Sequence, residues 1–425
     1  MAEEDILSDE LLRQLISVGE VDILVGLHTY NDAKTIGHVV QVIREGLLRY
    51  FPRERAAILN ADGGSADNTP ELVQAASISD ARQASTLHTL RTLHCISSRY
   101  AGHPSAGKAM HTIVAAADLL RAKACAVIAP RSSEIVPEWM DRLLRPIYRD
   151  HFDYVTPVYQ RHHFEGILVT NLMYPMVRAA YGIPICEPRP GEFGFSDRLA
   201  GHLLGEDVWS QDVGRSGPEV IITMSALAGG YRMYQSFLGP KGHVEQQSSD
   251  LVHALRQTVA PLFWSLAKDY ASWSAVREAQ AVPTLGPNFL VTMDSARLDR
   301  KRLHHMFCSG VVDLEPVLKS ILTPPTLAAL QRIAATDEHR FDYSDELWVK
   351  AVYEFAASYH KSVISRDHII QALAPLYRGR VYAFLEQNLN ASEQELEHNL
   401  EVLCQTFERL KPYLLERWAG QEGSS

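Results

Sequence analysis

Short apolar runs alternate with amphipathic helical patterns through the first third of the chain, and this alternation most constrains the fold. Four short, mainly apolar runs predict strands, at residues 22–27, 56–61, 93–97 and 124–129. Apolar residues at helical spacing lie between them, for instance Ile36, Val39, Val40, Ile43, Leu47 and Leu48. Because parallel strands need a crossover connection, this order predicts an α/β domain with a mostly parallel, doubly wound sheet.

The pattern changes near the middle of the chain. Strand-like and helical stretches mix up to that point, whereas from Leu251 the pattern is helical to the C-terminus. Residues 186–196 are rich in proline and glycine and predict a structured loop. We therefore expect an α/β domain at residues 1–250 and a helical C-terminal domain at residues 251–425.

Aromatic residues in the helical part recur at the spacing of packed helix faces. They are Trp348, Tyr353, Phe355, Tyr359, Tyr377, Tyr413 and Trp418. This spacing predicts core positions, and it also makes the helical part the candidate surface of a homodimer.

Composition narrows the class of protein. The 425 residues are 46% hydrophobic, which is enough for a sizeable core. A net charge of −10 argues against bulk nucleic-acid binding, which requires a basic face. The five cysteines form no CxxC pair, which suits a reducing compartment. The sequence shows neither a signal-peptide pattern nor an apolar run of the roughly 18 residues a membrane helix needs, so we expect a cytoplasmic protein without a membrane partner.

The second strand leads directly into a candidate ligand loop. Residues 56–69 read AAILNADGGSADNT, so Asp62 follows the apolar run and precedes two glycines. Thr69, followed by Pro70, predicts the cap of the next helix. Ligands of open α/β sheets bind at the carboxyl ends of the strands, where a carboxylate can accept hydrogen bonds from a base or ribose. The alternative is an ordinary strand–turn–helix with solvated acids.

This stretch resembles the second nucleotide-sugar motif of the GT-A glycosyltransferases. It is most similar to the retaining branch of glucosylglycerate, mannosylglycerate and glucosyl-3-phosphoglycerate synthases. The resemblance implies a GT-A, Rossmann-like nucleotide-sugar domain with Asp62 as a nucleotide contact. The first strand ends in VGLHTYND, and the resemblance implies that Tyr30, Asn31 and Asp32 face the base and ribose. Asn31 or Asp32 would fit the cap of the next helix equally well.

The predicted helix that begins at residue 106 has a lysine in its first turn. Lys108 lies in PSAGKAM, in the first turn, where the helix dipole disfavours a cation. A lysine in that place is a candidate for binding a nucleotide phosphate, with Gly107 allowing close approach. By itself the pattern would equally describe an exposed lysine at a helix end, and the similarity to a GKG-like element of the family favours the functional interpretation.

The metal motif of the family is replaced in this chain. GT-A enzymes carry D-x-D after the fourth strand, where two carboxylates hold Mg²⁺ or Mn²⁺. The following segment, IVPEWMDRLLRPIY, resembles the family and places the acidic pair at Ala129 and Arg131, neither of which can bind such an ion. In one interpretation Arg131 neutralises the diphosphate directly and no metal is needed. In the other, the chain has lost transferase activity and binds its ligand only.

Further resemblance implies the acceptor side of the site. The segments VYQRHHFEGILVTNLMYPMVRAAYG and EPRPGEFGFS are similar to the same branch, except that Pro190 replaces a glycine. Arg161, His162 and Arg189 would bind a carboxylate or phosphate, and Glu192 would contact the acceptor. The alternative is a solvated loop of charged residues.

Two more residues follow from the resemblance. Glu219 lies in a GxxxE-like turn and would orient the acceptor or stabilise the transition state electrostatically. His243, in FLGPKGH, matches a histidine that completes the metal shell of the family. One imidazole without carboxylates is a poor Mg²⁺ ligand, so His243 is equally a phosphate contact or a surface histidine.

Two functions therefore compete at the level of sequence. The first is a retaining hexosyltransferase that uses a nucleotide-diphosphate sugar and a small anionic acceptor, glycerate or phosphoglycerate. The second is a non-catalytic relative that binds a nucleotide sugar or metabolite and acts as a regulatory subunit. Nucleotidyl transfer is disfavoured because HTYND offers no glycine-rich basic loop after the first strand.

Overall fold

The computed structural model describes most of the chain, namely residues 6–75, 93–100, 104–162, 166–241, 251–277, 279–286, 290–292, 299–337 and 340–419. The chain divides into two compact units. The first comprises residues 1–159, 189–244 and 282–289, and the second comprises residues 160–188, 245–281 and 290–425.

The described helices, in chain order, are α1 (Asp9–Val18), α2 (Ile36–Tyr50), α3 (residues 69–75), α4 (Ala106–Leu119), α5 (Glu138–Tyr148), α6 (Tyr174–Tyr181), α7 (Asp197–Leu204), α8 (Asp212–Ser216), α9 (Pro218–Ala228), α10 (Leu251–Lys268), α11 (Tyr270–Ser274), α12 (Arg300–Asp313), α13 (Glu315–Ile321), α14 (Pro324–Ala334), α15 (Asp345–Lys361), α16 (Arg366–Asn388), α17 (Glu393–Arg409) and α18 (Lys411–Ala419). A π-helical turn (Val169–Met173) precedes α6, and a 3-10 turn (Asp207–Ser210) follows α7.

The described strands are β1 (Ile23–Thr29), β2 (Ala56–Asp62), β3 (His94–Arg99), β4 (Ala124–Ile128), β5 (Tyr154–His162), β6 (Phe193–Ser196), β7 (Met233–Pro240), β8 (Thr284–Leu285) and β9 (Leu290–Thr292). The first unit holds a sheet of order β3-β2-β1-β4-β6-β5-β7-β8. In the second unit the end of β5 pairs in parallel with β9. The predicted fold class, a mostly parallel α/β sheet followed by a helical C-terminal part, is confirmed.

The register brings the ends of the parallel strands to one edge. Thr29 of β1 is level with Asp62 of β2, which is level with Arg99 of β3. On the other side of β1, Leu27 is level with Ile128 of β4. Strand order reverses between β1 and β4, and such a switch point opens a crevice at the carboxyl ends of the strands.

The core of the first unit packs α2 and α5 on one face of the sheet. Ile23, Val25 and Leu27 of β1 are fully buried within it. Five of the six apolar residues predicted for the inward face of α2 are buried, whereas Leu48 is exposed. The Trp139 indole N–H donates to the carbonyl oxygen of Leu238 at 2.8 Å, which ties α5 to β7.

Three of the described strands were not predicted, namely the short strands β8 and β9, which lie in the part expected to be helical, and β6. Residues 193–196, inside the segment expected to be a loop, form β6, which runs antiparallel between β4 and β5. Its four residues, FGFS, are too few to show a periodic pattern. A Cβ at Gly194 would lie 2.6 Å from the carbonyl oxygen of Leu143, so the glycine that weakens the strand pattern is required by the packing of α5.

The second unit is built from helices around buried aromatic rings, as predicted. Trp348, Tyr353 and Phe355 of α15 are fully buried. The Trp348 indole N–H donates to the carbonyl oxygen of Asn171 at 2.8 Å, and the Tyr353 hydroxyl donates to that of Phe407 at 2.6 Å. These rings are core residues of the unit, and the homodimer stays a prediction. Among the described residues, no helix has the length and apolar character needed to cross a membrane.

Candidate functional site

An ion pair joins the loops that follow β1 and β4. Nε of Arg131 donates to Oδ1 of Asp32 at 2.6 Å. The Asp32 side chain is only 4% exposed, whereas that of Arg131 is 71% exposed. The Thr35 hydroxyl also donates to the carbonyl oxygen of Pro130 at 2.7 Å, so two contacts hold these loops together. The pair lies at the switch point of the sheet, where ligands of such folds bind.

The Asp62 carboxylate is buried and organises its own loop. Oδ2 accepts from the backbone N–H groups of Gly64 and Ser65, both at 2.8 Å. Oδ1 accepts from the Thr29 hydroxyl at 2.9 Å and from the Ser65 hydroxyl at 2.6 Å. Two carboxylate oxygens offer about four lone-pair positions, and the donors of Gly64 and Ser65 occupy three of them, while the single Thr29 proton is shared with Oδ1 of Asn60 at 2.8 Å. A direct contact between Asp62 and a nucleotide stays a prediction.

Hydrogen bonds between backbone and side-chain groups connect the loops after β1 and β2. Oδ1 of Asn31, a residue with φ 56°, accepts from the Ala66 N–H at 2.8 Å. The Asn31 N–H in turn donates to the Ser65 hydroxyl at 2.9 Å. Asn31, predicted as a ligand contact or a helix cap, therefore holds the turn that follows β2.

The helix after β2 begins differently from the prediction. Thr69, expected as its cap, is already helical. Its N–H and hydroxyl both donate to Oδ1 of Asp67, and its hydroxyl oxygen accepts from the Asp32 N–H at 2.9 Å. The hydrogen bond from the Thr69 hydroxyl, supported by backbone N–H groups, lowers the pKa of Asp67. The acid of this loop thus caps the helix, and the threonine connects the helix to Asp32.

Arg99 was missed by sequence reasoning. It is the last residue of β3 and is exposed. A Cβ at Gly64, whose φ is +85°, would lie 2.6 Å from Nε of Arg99, so the guanidinium lies directly over the glycine. Tyr30, half exposed, borders the neighbouring Gly63 at 3.1 Å from the corresponding point. An aromatic ring and a cation thus flank the DGG turn.

Lys108 stands in the first turn of α4, as predicted. The Ser105 side chain caps this helix by accepting from the Lys108 N–H at 3.1 Å. The structure explains the glycine at position 107 differently from the prediction, because a Cβ there would lie 2.2 Å from the carbonyl oxygen of Gly214. The glycine permits helix packing against residues 214–215, and ligand approach does not account for it.

Glu192 lies in a buried polar cluster. It accepts hydrogen bonds from the hydroxyls of Ser132 and Tyr159. Nζ of Lys241 lies 3.7 Å from Oε2 of Glu192 and 4.2 Å from the centroid of the Tyr159 ring. Sequence reasoning singled out Glu192 alone. Its three partners come from the loop after β4, from β5 and from the end of β7, and no short-range pattern links those segments.

The donor set does not fit the divalent metal implied by the resemblance. Asp32 and Glu192 are two buried carboxylates that contact the loop after β4 in the described part of the chain, and each oxygen already accepts from a protein group or pairs with a cation. Mg²⁺ needs several oxygen ligands, and Arg131 would repel it. No cluster of three or more His, Cys, Asp or Glu residues in the described part of the chain could hold an ion. His243 lies outside the described residues.

The remaining predicted residues are distributed over both units. Arg189 is partly buried and belongs to the first unit. Glu219 is partly exposed in the first turn of α9, which begins after a glycine. Arg161 and His162 belong to the second unit, at the end of β5, and their side chains lie outside the description. The acceptor roles of these four residues stay predictions.

No protein-family model and no curated protein matches the chain. Among solved structures, it is similar to glucosyl-3-phosphoglycerate synthase from Mycobacterium tuberculosis in complex with Mn²⁺, UDP and glucosyl-3-phosphoglycerate, at 19% identity, 62% coverage of this chain, 85% of that chain and a TM-score of 0.43. The complex with Mn²⁺, UDP-glucose and phosphoglyceric acid matches at 19% identity, 61% and 83% coverage and a TM-score of 0.42. Another crystal structure of that synthase matches at 20% identity, 60% and 84% coverage and a TM-score of 0.42.

Proposed function

We propose that the chain is a retaining glycosyltransferase that moves a hexose from a nucleotide-diphosphate sugar to a small anionic acceptor such as glycerate or 3-phosphoglycerate. The observation that supports this best is the Arg131–Asp32 ion pair at the switch point between β1 and β4. It presents an exposed guanidinium where an α/β sheet binds its ligand, at the position that the sequence resemblance assigns to the diphosphate.

The nucleotide would bind along the edge formed by the loops after β1 and β2. Tyr30 offers an exposed ring on which a base can stack, beside Gly63. Asp32 would contact the ribose while it holds Arg131, and Asn31 and Asp62 would keep the turn in shape through their hydrogen bonds. A fixed turn favours binding because the turn is already ordered in the free protein, so little conformational entropy is lost when the ligand binds.

The diphosphate would lie against Lys108 and Arg131. A guanidinium offers five N–H donors, and the bond from Arg131 to Asp32 uses one of them. During transfer the bond between the sugar C1 and the diphosphate oxygen breaks, and its electron pair goes to that oxygen. A fixed cation stabilises the resulting charge without reorganisation.

The acceptor would bind through its negative charge. The sequence resemblance, and no geometry, assigns Arg161, His162 and Arg189 to the carboxylate or phosphate of the acceptor. Its hydroxyl oxygen forms the new bond to C1 on the face that the diphosphate leaves, and the hydroxyl proton passes to the departing diphosphate. Glu219 would orient the acceptor and stabilise the positive charge that develops on the sugar ring.

The second candidate function is a nucleotide-sugar or metabolite binding protein without turnover. The observation in its favour is the donor set itself, because the carboxylates next to the β4 loop are already engaged by Arg131, Ser132 and other protein groups. A site that binds the diphosphate tightly before and after transfer gains affinity without gaining rate.

Product formation tests the two candidates. Purified protein is incubated with a panel of nucleotide-diphosphate hexoses and with glycerate or 3-phosphoglycerate, in Mg²⁺, in Mn²⁺ and in chelator. We expect a glycosylated acceptor in at least one combination, including the chelator arm. If calorimetry detects donor binding while no combination yields product, the binding protein is the correct assignment. If no donor binds at all, the transferase and a nucleotide-sugar binding protein are both wrong.

A further inference from the structure

We propose that the ammonium of Lys241 supplies the positive charge that a divalent metal supplies in D-x-D glycosyltransferases, so that the chain binds a nucleoside diphosphate without metal. This inference rests on the proposed function and adds to it a role for Lys241, which lies in the segment FLGPKGH and to which the resemblance assigned no role. Lys241 would contact the diphosphate, with Arg131 on the other side of the same loop.

The position of Lys241 carries the inference. A Cβ built on Gly191 would lie 3.3 Å from Nζ of Lys241 and 3.9 Å from Cβ of Ala129. The ammonium and Ala129 therefore border the same small space. Ala129 is the residue that stands at the first acidic position of the expected D-x-D motif. A cation thus lies beside the place from which that motif would offer a metal ligand.

The ammonium is held in place by its surroundings. It lies 3.7 Å from Oε2 of Glu192 and 4.2 Å from the ring centroid of Tyr159. Glu192 is itself fixed by hydrogen bonds from the hydroxyls of Ser132 and Tyr159. Because the anchor is buried and hydrogen-bonded, the cation loses little additional freedom when it meets an anion.

Lys241 also has access to a ligand. Its side chain is 26% exposed, whereas that of Glu192 is 3% exposed. An ammonium has three N–H donors, and its 3.7 Å ion pair with Glu192 is longer than a hydrogen bond. The Glu192 anchor therefore leaves donors on the exposed side for phosphate oxygens.

The loop after β4 connects the two cations. Arg131 reaches Asp32 on one side, and the neighbouring Ser132 donates to Glu192 on the other. Each cation is therefore paired with a buried carboxylate beside one four-residue turn. When the C1–oxygen bond of the donor breaks, the electron pair goes to the diphosphate, and both cations would face the added charge.

A purely structural ion pair is the competing explanation, because a buried carboxylate such as Glu192 needs a partner. The two explanations differ in what they predict for ligands. A structural pair affects all ligands alike through folding, whereas a phosphate-binding lysine discriminates between a diphosphate and a monophosphate of the same nucleoside.

Calorimetry on the full chain tests the inference. Nucleoside 5′-diphosphates and the matching monophosphates of adenine, guanine, uracil, cytosine and thymine are titrated in EDTA and again in Mg²⁺. We expect at least one diphosphate to bind in EDTA, with less than a twofold change on adding Mg²⁺. Lys241→Met should weaken that diphosphate by about tenfold or more and the monophosphate by less than twofold, because a charge-assisted hydrogen bond is lost.

Matched variants complete the design. Lys123→Met removes a lysine that also pairs with a carboxylate, Asp22 at 2.8 Å, at the opposite end of β4, and it should leave both affinities unchanged. Lys241→Arg should retain most of the diphosphate affinity. If Lys241→Met does not fold, the double variant Glu192→Gln/Lys241→Met removes both charges together and takes its place.

The outcomes separate this inference from the proposed function. A diphosphate that binds only with Mg²⁺, or an equal loss for diphosphate and monophosphate in the lysine variant, overturns the role of Lys241 and leaves the glycosyltransferase assignment standing. If no nucleoside diphosphate and no nucleotide-diphosphate hexose binds under any condition, both are overturned.

Discussion

Nε of Arg131 donates to Oδ1 of Asp32 at 2.6 Å, while Oδ2 of the same carboxylate accepts from the Tyr30 N–H at 2.9 Å. The buried carboxylate thus fixes an exposed guanidinium and a backbone turn at once. Two loops that belong to different strands, β1 and β4, depend on one aspartate. Because the Arg131 side chain is already oriented, it can bind an anionic ligand without a conformational change.

Arg131→Ala should weaken donor binding in chelator. The variant removes the exposed cation and leaves Asp32 as a buried carboxylate with one contact fewer, so an anionic ligand meets repulsion. We expect at least a tenfold loss of affinity for the nucleotide-diphosphate sugar, equivalent to about 1.4 kcal/mol. Calorimetry in EDTA measures it directly.

Arg49→Ala is the matched control for Arg131→Ala. Arg49 is also an exposed arginine paired with a carboxylate, Glu138 at 3.2 Å, but it lies at the C-terminal end of α2. Its removal should cost less than about 1 kcal/mol of stability, as is usual for exposed pairs, and should leave donor affinity intact. Equal losses of donor affinity in the two variants would show that Arg131 acts only through the net charge of the protein.

The sequence was informative where local patterns decide the structure. The four parallel strands were predicted within a few residues, and strand ends fix which residues share an edge. Because Asp32, Asp62 and Arg131 end or follow strands β1, β2 and β4, their place at one edge of the sheet can be predicted from the sequence. The directions of the side chains could not be predicted from the sequence. The geometry of the turn after β2 decides whether the Asp62 carboxylate faces a ligand or its own loop.

Long-range partners were the other limit of sequence reasoning. Glu192 meets Ser132, Tyr159 and Lys241, which lie on three separate segments. No periodicity connects such residues, and each is unremarkable in its own stretch. The short strand β6 was missed for a related reason. Pairing with the adjacent strands β4 and β5 stabilises it more than the β propensity of its own four residues does.

Gly64→Ala should destabilise the turn after β2. Gly64 has φ +85°, and a Cβ there would lie 2.6–2.7 Å from the guanidinium atoms of Arg99. The left-handed backbone costs an alanine about 1 kcal/mol or more, and displacement of Arg99 adds to this. We expect a loss of about 1–3 kcal/mol in the free energy of unfolding, measured with urea.

Gly37→Ala provides the opposite expectation in the same domain. Gly37 lies in the first turn of α2 with nothing within 4 Å of its hypothetical Cβ. An alanine there should stabilise by a few tenths of a kcal/mol up to about 1 kcal/mol, because alanine favours the helix. A loss of stability in Gly37→Ala, or none in Gly64→Ala, would contradict the backbone argument.

His111 should titrate well below the ordinary range of histidine. Its imidazole stacks on Trp209 with ring centroids 4.7 Å apart, and burial lowers the pKa to about 4. The unfolded chain therefore binds more protons between pH 6.5 and 4, and the contribution of His111 to stability is lost as the pH falls through that window. An NMR titration of the imidazole resonances measures the pKa, and a midpoint near 6.5 would refute the prediction.

His111→Phe isolates that contribution from the carboxylates that titrate in the same range. A phenyl ring keeps the stacking on Trp209 and carries no proton, so the free energy of unfolding should decline less between pH 6.5 and 4 than in the parent protein. His38→Gln, at an exposed position of α2, should show the slope of the parent. Identical slopes in all three proteins would mean that His111 does not sense pH through folding.

Glu192→Gln should destabilise the first unit because it leaves Lys241 without its anionic partner. The amide keeps the shape of the carboxylate, and the Ser132 and Tyr159 hydroxyls can donate or accept. The lost charge pairing of a buried group is expected to cost about 2–3 kcal/mol in urea unfolding. Glu134→Gln is the control, since Glu134 is exposed on the same loop and accepts from the adjacent Ser133 hydroxyl. Equal stabilities of these two variants would show that Glu192 does not anchor the lysine.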